Sequence, residues 1–202
     1  MSVFTTYLQL GFLHICSWQA TDHLTFLLAL CAPYVLADWR RVVVLVSSFT
    51  LGHSLTLALA TLGVVSTNKF VIEALIPVTI VCTALVDMWQ AGPALARPGR
   101  RRPQSVVWAA PNALAVAFGL VHGLGFSNYL HNLLGTQRRP VVELLSFNLG
   151  VELGQLLVVA GILLLGFVVL RGVGAARRDW VLVTSSAALG VALLLLVQLL
   201  NG

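Results

Sequence analysis

Apolar residues run along this chain in long blocks separated by short polar or basic stretches. Six blocks read as membrane-crossing helices of roughly 20 residues each. They cover residues 22–36, 42–65, 70–89, 106–126, 141–170 and 180–200. The fifth exceeds what a bilayer needs, which predicts tilt or an extension into water. Residues 4–17 form a further apolar segment too short to cross, expected to cap the bundle, lie at the interface or re-enter. The expected fold is all-α: a polytopic transmembrane helical bundle of about six spans plus a short N-terminal interfacial or re-entrant helix, forming one integral membrane domain over residues 1–202.

Composition agrees. The chain is 58% hydrophobic and 9% charged, with a mean hydropathy of +0.94, whereas a soluble domain carries about a quarter charged residues. The first charged residue is Asp22, so the basic start of a signal peptide is not seen. A net charge of +5 could suggest nucleic acid. The arginines instead concentrate in short loops between apolar blocks, which topology explains better, so no nucleic-acid partner is expected. The loops after blocks one, three and five hold Arg40, Arg41, Arg97, Arg100, Arg101, Arg102, Arg171, Arg177 and Arg178, against Lys69, Arg138 and Arg139 after blocks two and four. This bias predicts both termini on the outer side, with the Pro/Arg-rich stretch 96–105 as an inner loop. Cys16, Cys31 and Cys82 have no CxxC spacing and read as small packing residues. The five tryptophans, at 18, 39, 89, 108 and 180, read as interfacial anchors.

The chemistry lies in the polar residues that interrupt the apolar pattern. His14, His23, His53 and His122 all fall at membrane depth, accompanied by Asp22, Glu73, Asp87 and Glu152. Ionisable groups are costly there and default to a functional reading. Imidazole with carboxylate is a ligand set for Ni2+, Co2+ and Zn2+, while the scarcity of clustered thiols and methionines argues against Cu+. With the predicted topology, His14, Asp22, His23 and His122 gather in the outer half, with His53 and Glu152 deeper. Asn148, Glu152 and Gln155 form one stripe by helical spacing, and Thr50, His53 and Ser54 share a face. Glu73 and Asp87 share a face but stand about 21 Å apart, so they could line one path without sharing one ion. Asp22 and His23 point about 100° apart, which lets one ligate while the other orients a ligand. Interhelical hydrogen bonding is the plain alternative for any single histidine.

The stretches GFLHICSWQATDHLTFLLAL (11–30), FTLGHSLTLALATLGVV (49–65), VIEALIPVTI (71–80), FGLVHGLGFSNYL (118–130) and FNLGVELGQL (147–156) resemble the HupE/UreJ family of small bacterial membrane proteins, in order and over nearly the whole chain. The resemblance falls on His14, Asp22, His23, His53, Ser54, Glu73, His122, Gly123, Asn148, Glu152 and Gln155. Two positions depart from the family pattern: Ala20 replaces a glycine, and Asp87 an asparagine. The resemblance implies a nickel or cobalt permease of the bacterial inner membrane, with the bilayer and the metal ion as its partners. A homo-oligomer is compatible with it. The expected metal ligands are His14, Asp22, His23, His53, Glu73, His122 and Glu152, with Ser54, Asp87, Asn148 and Gln155 lining the pathway or the outer shell. The expected cargo is Ni2+, with Co2+ or Zn2+ fitting the same ligands. Two other classes stay open: an intramembrane metal-dependent hydrolase, which the absence of HExxH counts against, and a metal-binding structural or sensor subunit.

Overall fold

The structure is a computed structural model. It describes residues 2–18, 20–65, 68–91, 110–134 and 140–201; of residue 110 and residues 127–134 it gives the helix but not the side chains. The predicted inner loop over 96–105, Trp108 and the loop arginines 138 and 139 lie outside the described residues. Seven helices form: α1 Val3–Cys16, α2 Thr21–Cys31, α3 Trp39–Thr61, α4 Lys69–Ala91, α5 Ala110–Leu134, α6 Val141–Phe167 and α7 Arg177–Asn201. A 3-10 turn, Leu36–Asp38, leads into α3, and a π-helical turn, Val168–Val173, ends α6. The described residues contain no strand.

Four stretches are long and apolar enough to cross a membrane: Leu36–Thr61, Lys69–Ala91, Val141–Val173 and Arg177–Asn201. They match the expected blocks two, three, five and six, including the long fifth. Block one is corrected. The helix there has only 11 residues and stops at Cys31, because Pro33 has no N–H to continue the ladder. At 1.5 Å per residue it spans about 16 Å, half a bilayer. Block four coincides with α5, whose described apolar stretch, Pro111–Phe126, is also below crossing length.

Glycines set which helices touch. Gly150 of α6 lies against Leu8 and Phe12, and Gly154 against Phe12 and Ile15. Both helices therefore advance together, and α1 is parallel to α6. On the other side of the bundle, Gly119 of α5 lies against Phe49 and His53 of α3, and Gly123 against His53 and Thr56. That pair is parallel too. A Cβ on Gly11, Gly52, Gly119 or Gly150 would collide with the neighbour's backbone, so these crossings use the close approach that drives helix association in lipid. Thr56 Oγ1 adds a 2.8 Å hydrogen bond to the Leu120 carbonyl. Six connecting residues separate α5 from α6, too few to return along a 25-residue helix. The two therefore run in opposite directions. Accordingly α1 and α6 point one way, α3 and α5 the other.

α1 and α2 barely touch each other. α1 packs along α6, while α2 packs against α4, α7 and α6. At the far end of α2, Arg177 donates to the Pro33 carbonyl at 2.6 Å and lies 4.0 Å from Asp38, which also faces Arg41 at 3.8 Å. Two of the arginine-bearing turns are thus joined at one end of the bundle.

Three buried clusters hold the interior, the largest centred on Phe147, Leu57, Val46 and Ile15. The outer faces are apolar as well. Leu145, Leu149, Leu153 and Leu157 form an exposed stripe on α6, as expected of a helix facing lipid rather than water. Trp18, Trp39 and Trp89 are exposed, as interfacial anchors would be, but Trp180 is buried against Ala91 and Val181.

Candidate metal centre

The break between α1 and α2 positions the polar cluster. His14 stands in the last turn of α1 and Asp22 in the first turn of α2. An acid at a helix N-terminus is favoured by the free amides there, and Ala20 supplies no side-chain cap of its own. The glycine crossing of α3 with α5 brings His53 and His122 to the same level. The result is a layer of four imidazoles. His23 is its centre, with ring centroids 4.9 Å from His14, 5.4 Å from His122 and 6.0 Å from His53.

His14, His23 and His53 each offer a ring nitrogen, and these three atoms lie within 4.8 Å of one another. Two nitrogens sharing a tetrahedral metal at about 2.1 Å stand roughly 3.4 Å apart, so small ring rotations close the set on an ion. His53 and His122 are fully buried and His23 is nearly so. His14 Nε2, His23 Nε2, His122 Nε2 and both nitrogens of His53 have no hydrogen-bond partner among the described residues. A buried, unsatisfied polar atom costs about 1–3 kcal/mol. A cation held where the nitrogens of His14, His23 and His53 converge would relieve that cost.

Two of the rings are oriented. His23 Nδ1 lies 3.1 Å from Asp22 Oδ1, and His122 Nδ1 lies 2.9 Å from the Phe118 carbonyl. With an N–H donated in each case, Nε2 is left as the lone-pair nitrogen of each ring. A carboxylate holding a ligating histidine is the usual outer-shell support of a metal site. Asp22, expected among the ligands, contacts His23 and lies outside the group of three converging nitrogens. Asp22→Asn should therefore keep the fold and weaken Ni2+ binding by about 10–100-fold, as loss of such a partner does. Equilibrium dialysis of the purified protein measures it, and unchanged affinity would remove Asp22 from the site.

Other expected residues divide. The predicted stripe on α6 faces α3. Asn148 adjoins His53, and its amide donates to the Leu144 carbonyl at 2.9 Å. Glu152 accepts from Ser47 Oγ at 2.6 Å, and Gln155 Oε1 from Thr50 Oγ1 at 2.7 Å. Ser54 is half-buried next to His53. Glu73 stands apart, exposed and 3.5 Å from Lys69, so it is not brought to the histidines. Asp87 is buried beside Cys31, near the far end of α2. His53 was expected deeper than the other three histidines; it belongs to the same layer.

The aromatic lining was not foreseen. Phe26 and Phe49 lie 5.0 and 5.1 Å from His122, and Phe126 lies 3.9 Å from His14. Helical spacing carried that signal: Phe26 follows His23 by three residues, Phe49 precedes His53 by four, and Phe126 follows His122 by four.

No curated protein and no solved structure matches the chain. The family model for HupE / UreJ proteins matches residues 1–199. Essentially the whole of this apolar, histidine-bearing bundle is therefore covered, and the chain belongs to the HupE/UreJ family, which points to a membrane protein tied to nickel or cobalt transport.

Proposed function

We propose that this protein carries a divalent transition-metal cation, Ni2+ foremost, inward across the bacterial inner membrane. The single observation behind this reading is the largely buried set of His14, His23 and His53 with converging, unpartnered nitrogens. Imidazole suits Ni2+, Co2+ and Zn2+, and an all-nitrogen set without thiolate releases its ion more readily than a closed structural site. His122 stands beside the three as a further ligand for an ion in passage. The Ser47–Glu152 and Thr50–Gln155 pairs between α3 and α6 continue as a polar route away from the histidines.

The path crosses six spans in this reading, α1 and α2 together forming the first as a broken helix of about 21 and 16 Å. Backbone that departs from a helix at membrane depth is tolerated where it lines a cavity or lies within protein, and broken helices recur at transporter binding sites. The joined Arg41, Asp38 and Arg177 mark the inner end, which leaves both described ends of the chain outside.

Uptake of Ni2+ into proteoliposomes tests the reading directly. Glu152→Gln keeps the size of the side chain and removes its charge. It is expected to leave Ni2+ affinity at the histidines unchanged while slowing uptake about ten-fold, equivalent to about 1.4 kcal/mol in barrier. Wild-type protein that binds Ni2+ yet moves none would make it a metal-binding subunit instead.

A further inference from the structure

Two crossings in the bundle repeat one geometry. On the first pair, Gly11 of α1 lies against the Phe147 carbonyl and Val151 amide of α6, and Gly150 against the Leu8 carbonyl and Phe12 amide. On the second, Gly52 of α3 lies against the Val116 carbonyl and Leu120 amide of α5, and Gly119 against the Phe49 carbonyl and His53 amide. Every one of these glycines meets the carbonyl three residues before its partner glycine and the amide one residue after it.

The residues around the crossings repeat as well. SFNLGVEL (146–153) on α6 matches SFTLGHSL (48–55) on α3, and GFLH (11–14) on α1 matches GLVH (119–122) on α5. The matched helices run in opposite directions, since α1 and α6 point one way and α3 and α5 the other. The remaining long helices, α4 and α7, pack on each other. Half one is α1 with α2, α3 and α4; half two is α5, α6 and α7. His23 of α2 lies between His14 and His122, which are the matched histidines of the two halves.

The repeat extends to the aromatic rings. Phe147 lies 5.9 Å from His14, and its counterpart Phe49 lies 5.1 Å from His122. Each is backed by a second ring: Phe126 on Phe147 at 5.1 Å, and Phe26 on Phe49 at 4.8 Å. Along α5, Phe118 and Phe126 stand one turn before and one turn after His122, about 6 Å each way. Phe118 joins the Phe26 cluster at 6.1 Å. Apolar rings therefore close the histidine layer from both directions along the bundle.

We propose that the bundle is two inverted three-span repeats whose symmetry axis passes through the histidine layer, and that Phe49 with Phe26 and Phe147 with Phe126 are the two gates of the cation path. The gates rest on the transport reading; the repeat does not. Inverted repeats can exchange conformations, which opens one gate while the other stays shut around a fixed site, and an apolar constriction blocks an ion by excluding water.

Two measurements decide it. In a variant with Cys16, Cys31 and Cys82 replaced by alanine, Lys69→Cys at the start of α4 and Arg178→Cys at the start of α7 are probed with a membrane-impermeant maleimide in sealed vesicles. Labelling from opposite faces is expected; labelling from the same face overturns the inverted repeat whatever the cargo. For the gates, Phe49→Ala, Phe147→Ala and the double variant are reconstituted and Ni2+ uptake is measured against Ni2+ concentration. Each single variant should stay saturable, because the other gate still seals. The double variant should lose saturation and leak in proportion to concentration, while Phe49→Leu/Phe147→Leu, which keeps apolar bulk, stays saturable and so excludes mere loss of fold. A double alanine variant that saturates like wild type overturns the gates. Wild-type protein that binds no Ni2+ in dialysis overturns the cation reading and the gates with it, and the labelling still decides the repeat.

Discussion

His23→Ala should abolish specific Ni2+ binding, with a loss beyond the about 10–100-fold typical of outer-shell changes. The reason is position. Among the described residues His23 is the one ring that approaches His14, His53 and His122 alike, and its Nε2 is left bare by the contact of Nδ1 with Asp22. Removing it deletes the central donor and strands the Asp22 carboxylate. Dialysis measures the affinity, and X-ray absorption of the bound Ni2+ should count one imidazole fewer if residual binding remains. The variant should stay folded, because the hydrogen bond of His23 goes to the adjacent Asp22 and ties no helices together. Retained affinity with an unchanged imidazole count would place the ion elsewhere.

The second large effect comes from a residue with no side chain. Gly52→Val should destabilise the protein and lose Ni2+ binding together. A side chain at Gly52 collides with the Val116 carbonyl and the Leu120 amide. Neither is a flexible side-chain end, so α3 and α5 must separate. Overpacking a close-packed interior costs about 1–3 kcal/mol, occasionally more. Here the displacement also carries His53 and His122 apart, since both sit on this crossing. Thermal unfolding in detergent should show a lowered midpoint, and dialysis a loss of binding that added Ni2+ does not restore. Gly161→Val is the control, because nothing lies within 4 Å of a Cβ there; it should behave as wild type. Equal behaviour of the two variants would mean that the crossing does not hold the site.

Legibility in the sequence followed the physics of each signal. Long apolar blocks predicted α3, α4, α6 and α7 well, because lipid demands continuous apolar length and nothing in a bilayer replaces it. The same criterion failed at residues 22–36. That block is apolar enough to be read as a span, yet the proline at 33 and the polar stretch before Thr21 divide the N-terminal region into two short helices. Hydropathy averages over such a break and cannot see it. The α6 stripe of Asn148, Glu152 and Gln155 was legible because helical spacing alone puts the three on one face. Glu73 marks the limit of that reading: a helix face can be read from spacing, but which neighbour it meets cannot, and Lys69 lies one turn away, 3.5 Å from it.

The sequence by itself determined that this is a helical membrane protein of the HupE/UreJ family with four histidines and several acids at membrane depth. Periodicity and composition are local properties, and lipid makes them decisive. Only the tertiary structure decided that His14, His23 and His53 converge, that Asp22 meets the Nδ1 of His23, and that Phe49 and Phe147 are matched partners of two histidines. Those facts depend on how far apart α1, α2, α3 and α5 stand and in which direction each runs. Glycine crossings set both, through backbone contacts between residues more than 60 positions apart in the chain.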